Sequence, residues 1–136
     1  MGSTNYIDTF IQVAEDCPVT TAEQPPRGNG SPTIAALQFA LIAEHPYEFT
    51  SDDVLFDVHA TRRSLDAEER RAAREAFFAR SQACLRASPL PKKYGWGIHH
   101  DAEGRVALVP VGSAQYQALA ADPHVQQRRA MRSRRG

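Results

Sequence analysis

"YGWGIHHDAEGRVALVP" spans residues 94–110 and decides the fold. At its centre, Asp101-Ala102-Glu103-Gly104 is turn chemistry, with a glycine free to adopt the positive φ that closes many hairpins. The flanks therefore pair as antiparallel strands over 94–111. On the first strand Tyr94, Trp96, Ile98 and His100 share one face, and Gly95, Gly97 and His99 share the other. Neighbouring strand residues point to opposite faces, so His99 and His100 are poor candidates for two ligands of one metal. His100, beside the turn, reads as a solvated residue closing the aromatic face. His99 shares its face with glycines that leave a shallow trough for a packed helix or a ligand, the helix being the simpler occupant.

Upstream, "ASPLPKKYG" carries prolines that break the preceding helix. That helix covers 65–82, with Ser64 as its cap, acids first and arginines later, and Ala73, Ala76 and Phe77 facing inward. The segment 52–63 is ambiguous, since Val54, Phe56 and Val58 alternate as in a strand. The start Ser51-Asp52-Asp53 and the polar series Asp53, Asp57, Thr61 favour a helix. Residues 32–44 form the clearest helix, with Ser31 as cap, Pro32 first and Pro46 as stop. Its Ile34, Leu37, Ala40 and Leu41 make a stripe for the core, leaving Gln38 and Glu44 to water. Residues 8–14 read as a strand. The Pro- and Gly-rich loop 15–31 is long enough to be either functional or a strap over the surface. A short helix is expected at 113–121, with a basic helix or tail after Pro123.

These elements make an α+β domain. A small antiparallel sheet, the strand 8–14 plus the hairpin 94–111, packs against three or four helices. The 136 residues suit one domain, placed at 1–127, with a basic tail at 128–136. The formal net charge is zero, yet Arg128, Arg129, Arg132, Arg134 and Arg135 crowd the end, so the body is mildly acidic. No basic segment leading into an apolar run marks a secretory signal, and no stretch is apolar enough to span a bilayer. The two cysteines, Cys17 and Cys84, lie outside any CxxC pair, which fits neither a disulfide framework nor a zinc-thiolate site. A reduced, cytoplasmic protein is expected, without metal or cofactor. Phosphate-loop, GxGxxG, HExxH and GxSxG patterns are missing from the sequence.

Three kinds of chemistry are conceivable. Arg86, Lys93, Tyr94, Trp96 and His99 combine cations with aromatic groups in a way that could hold an anion or a stacked base. His59 or His99 could act as a general base, with Cys84 as a nucleophile activated by Arg86. The tail arginines 128, 129, 132, 134 and 135 could neutralise phosphates of a nucleic acid, though an acidic body opposes a large polyanion. Each has a blander structural counterpart: snorkelling side chains, a hydrogen-bonded histidine, an inert cysteine, a frayed end.

The segments "STNYIDTFIQVAEDCPVTTAEQPP", "YEFTSDDVLFDVHATRR" and "CLRASPLPKKYGWGIHHDAEGRVALVPVGSAQY", with the ending "AMRSRR", resemble a family of short, mainly bacterial proteins known only as a domain of unknown function. The resemblance implies a self-standing single domain and brings no activity, cofactor or catalytic residue. The leading expectation is a small cytosolic binding or interaction module, monomer or homodimer, with a ligand patch in the 86–99 region. A small histidine-based enzyme is the alternative, and nucleic-acid association through the tail a further one.

Overall fold

The hairpin turn closes on Asp101. Its carbonyl accepts from Gly104 N–H at 3.0 Å, and its carboxylate accepts from the backbone N–H groups of Glu103 and Arg105 at 2.9 and 2.8 Å. Gly104 sits at φ +80°, the conformation the turn needs from glycine. The computed structural model describes residues 3–133. Strands β2 (Trp96–His100) and β3 (Val106–Pro110) pair antiparallel, with Ile98 opposite Leu108. Strand β1 (Thr9–Gln12) lies antiparallel on the other side of β2, Ile11 facing Ile98.

A fourth strand, β4 (Gln126–Arg129), runs parallel to β1, so the open sheet has the order β3-β2-β1-β4 and is mixed but mostly antiparallel. Strand β4 crosses residue 127, where the sequence placed the start of the basic tail. Ala130 is 3% exposed and Met131 N–H donates to the Arg86 carbonyl. "QQRR" has no apolar alternation because an edge strand with solvated side chains does not need one. Backbone pairing holds it, together with the Gln127 side-chain amide, which donates to the Leu119 carbonyl and accepts from Gln12.

Helices α1 (Ile34–Glu44), α2 (Ser51–Arg62) and α4 (Pro89–Lys93) cover one face of the sheet. Their Ile42, Val54 and Leu90 pack with Ile11, Ile98 and Val106, all essentially buried. The opposite face carries α5 (Ala114–Ala120), whose Tyr116 meets Phe10 and Val109. The glycine trough is therefore filled by protein. A Cβ on Gly97 would stand 2.7 Å from Cζ of Phe10 and 2.9 Å from Cε2 of Tyr116. Helix α3 (Ala67–Ala79) lies outside these layers and buries no residue. It rests on α2 through Phe77, 5.5 Å from the Phe56 ring, and through the pairs Arg70–Asp57 and Arg74–Asp53.

The ambiguous segment is helical. Thr50 and Asp53 form a reciprocal capping box that starts α2, and Asp66 with Glu69 does the same for α3. The caps expected at Ser31 and Ser64 fall instead to Thr33 and Asp66, whose side chains reach the third helical N–H. Two expectations fail on burial. His100 is fully buried rather than solvated, because the N-terminal segment crosses the turn and lays Tyr6 edge-on against it at 5.4 Å. Asp8 N–H donating to the Asp101 carbonyl, and Thr4 bonded to Asp52, hold that segment down. In α1 the buried residues are Ala35, Gln38 and Ile42, not the apolar stripe. Gln38 turns inward to accept a hydrogen bond from Ser88, which leaves Ile34, Leu37 and Ala40 outside the core.

Candidate functional site

The apolar stripe of α1 that the core does not use is faced by the long loop, which is a strap. Three interactions with β2 and its approach fix it. Glu23 N–H donates to the Tyr94 carbonyl at 2.9 Å, and Trp96 Nε1 donates to the Glu23 carbonyl at 2.8 Å. Gly95, at φ +82°, lets the strap close in; a Cβ there would lie 3.0 Å from Val19 and 3.1 Å from Cα of Ala22. The Trp96 ring also packs against Phe39 of α1, centroids 5.3 Å apart.

Between strap and helix runs a cleft of about 400 Å³. Pro25, Leu37, Phe39, Ala40 and Ala43 make its surface largely apolar, and Arg27 and Glu44 supply its charges. Pro32 and Leu37 also line a second cleft of about 580 Å³, which reaches the C-terminal end of α2 at His59, Arg62, Arg63 and Ser64. His59 and Arg63 line a third, of about 490 Å³, with Phe77 and Arg80 of the α3 end. Burial, and then the nearby Arg63 charge, lower the His59 pKa.

The residues expected to form one ligand patch are divided among different parts of the fold. Tyr94 and Trp96 come together, holding the strap. Arg86 is turned to the chain end, its Nε donating to the Arg129 carbonyl at 2.8 Å. Lys93 closes α4. His99 lies on the α5 side of the sheet, where Nδ1 and the Tyr47 hydroxyl share a hydrogen bond of 2.8 Å. Burial lowers the His99 pKa, while the carboxylates of Asp101, Asp8 and Asp122 pull it up. Cys84 shares a 3.3 Å hydrogen bond with the Tyr6 hydroxyl. His59, His99 and Cys84 thus have different neighbours and do not form a triad.

Of the tail arginines, Arg128 and Arg129 belong to β4 and Arg132 is exposed, while Arg134 and Arg135 lie outside the described residues. Among the described residues no group of three or more His, Cys, Asp or Glu side chains could hold a metal. Nor is any described helix long and apolar enough to cross a membrane. Sequence reasoning named His59 at the α2 end as a candidate but missed Arg27, Phe39, Arg62 and Arg63 as site residues. The length of the loop was the one signal pointing there.

A family model described as a family of unknown function (DUF6157) matches residues 1–136. No curated protein and no solved structure matches the chain.

Proposed function

The chain belongs to that family of unknown function, and we propose from its own residues that it is a non-enzymatic binding module. It holds a small molecule with an apolar body in the cleft between the strap and α1. The observation that carries this reading is the apolar face of α1. Leu37, Ala40 and Ala43 face a strapped cleft, while the polar Gln38 takes the place in the core. A volume of about 400 Å³ falls within the range of roughly 300–1,000 Å³ common for small-molecule sites. The separation of His59, His99 and Cys84 supports binding rather than catalysis. A bacterial, cytoplasmic setting completes the reading, supported by the resemblance of the motifs and by two free cysteines.

Trp96 is the single tryptophan and touches Phe39, so it reports on the cleft. Titration with a panel of small aromatic and aliphatic compounds is expected to shift its emission and raise the melting temperature. Ala40→Phe, which fills the cleft from an exposed position, is expected to abolish both responses. A flat response across the panel, or one that survives Ala40→Phe, overturns the reading.

A further inference from the structure

The apolar cleft does not end at α1. Pro32 and Leu37 line both it and the cleft of the α2 end, so the two adjoin at a common wall. The character changes across that wall. Beyond it stand Arg62 and Arg63, with the hydroxyls of Ser31 and Ser64, and no carboxylate lines the space.

The contrast with the neighbouring cleft decides what these cations are for. Arg70 and Arg74 line a cleft between α2 and α3 together with Asp53 and Asp57, and both arginines are ion-paired there, at 3.4 and 2.9 Å. Arg62 and Arg63 have no carboxylate within ion-pair distance among the described residues. Arg62 in the last turn of α2 complements the helix dipole, which accounts for one positive charge at this position. It does not account for the second arginine, the hydroxyls or the shared wall. Two guanidinium groups beside hydroxyl donors suit an oxyanion with several acceptor oxygens, as a phosphate has.

We infer that the ligand of the strap cleft is an apolar phosphate monoester, its hydrocarbon part between strap and α1 and its phosphate at Arg62, Arg63, Ser31 and Ser64. This rests on the binding-module reading and adds the chemical class of the ligand. Bound over Pro32 and Leu37, which line both clefts, such a ligand occupies them as one bipartite site, in which the apolar part supplies burial and the head supplies orientation.

The test is calorimetric titration of the full chain with n-hexyl phosphate, 1-hexanol and inorganic phosphate. Hexyl phosphate is expected to bind at least tenfold more tightly than either of the other two. The double variant Arg62→Ala, Arg63→Ala is expected to bring it down to the level of hexanol. Both arginines are exposed and make no ion pair, so the fold tolerates the change. Equal binding of hexyl phosphate and hexanol to the unmodified chain overturns the phosphate assignment and leaves the apolar cleft standing. Hexyl phosphate no tighter than inorganic phosphate overturns the bipartite site. No binding by hexanol or hexyl phosphate overturns this inference, while the reading beneath it falls only with a flat response across the wider panel.

Discussion

The indole Nε1 of Trp96 donates to the carbonyl of Glu23 at 2.8 Å, tying an inner strand of the sheet to the middle of the strap. The same strap residue donates its N–H to the Tyr94 carbonyl, so Glu23 is held at both ends of its backbone. Trp96→Phe keeps the ring packing on Phe39 and removes one of these two bonds. A stability loss of about 1 kcal/mol is expected, as for a net hydrogen bond. Amide hydrogen exchange at residues 17–31 is expected to accelerate while β2 and β3 stay protected. Uniform acceleration across the chain would show that the strap is no separate unit.

Gly97 permits close approach rather than a turn. The ideal Cβ there falls 2.7 and 2.8 Å from Cζ and Cε1 of Phe10 and 2.9 Å from Tyr116, whose rings meet edge-on at 4.9 Å. Gly97→Ala therefore forces α5 or Phe10 to shift, costing about 1–3 kcal/mol as overpacking does. Denaturant unfolding measures this directly. In a Phe10→Leu background the two Phe10 contacts are gone and only Tyr116 crowds the added methyl, so its cost is expected to fall. An unchanged cost would place the strain elsewhere.

The hairpin, the helical reading of 52–63 and the α+β class were legible because turn chemistry, capping residues and apolar periodicity act locally. What sequence reasoning missed is non-local. β4 is set by backbone pairing to β1, which "QQRR" does not advertise. The burial of His100 depends on a segment more than ninety residues upstream, Tyr6 lying across the turn. The apolar stripe of α1 was visible, but not its partner. A helix with apolar residues on two sides can bury either, and the Gln38–Ser88 bond selects the other one. The site followed from that choice, so the residues lining it were not separable from core in the sequence.

His99 offers a titration whose sign follows from its surroundings. Burial lowers its pKa, and the charges of Asp101, Asp8 and Asp122 oppose that shift. Asp101→Asn removes the leading opposing charge, so the His99 pKa is expected to fall further in that variant. Histidine ring resonances followed by NMR against pH give the answer. A rise would mean that Asp101 does not reach the ring.

His100 predicts how the whole fold responds to acid. Its ring is fully buried, neither nitrogen makes a well-formed hydrogen bond among the described residues although the carbonyls of Ile98 and Thr9 lie near the ring, and burial pushes its pKa down to about 4 from 6.5. The carbonyls of Ile98 and Thr9 favour the proton and His99 opposes it, but desolvation outweighs them. The unfolded chain takes up this proton below pH 6.5 and the folded chain only near pH 4, so the stability present above pH 6.5 is lost across that window. The full loss amounts to about 3 kcal/mol from this group. The lowered pKa values of His59 and His99 act in the same direction. His100→Leu removes two unsatisfied polar atoms from an apolar site, so its stability at pH 7 is expected within about 1 kcal/mol of the unmodified chain. Between pH 7 and 5, where most carboxylates stay ionised, its unfolding free energy is expected to fall less steeply. Urea unfolding at pH 7, 6 and 5 compares the two slopes. Parallel slopes would mean that His100 takes up its proton as readily in the fold as in the unfolded chain, and a large loss at pH 7 would mean that its ring has a partner.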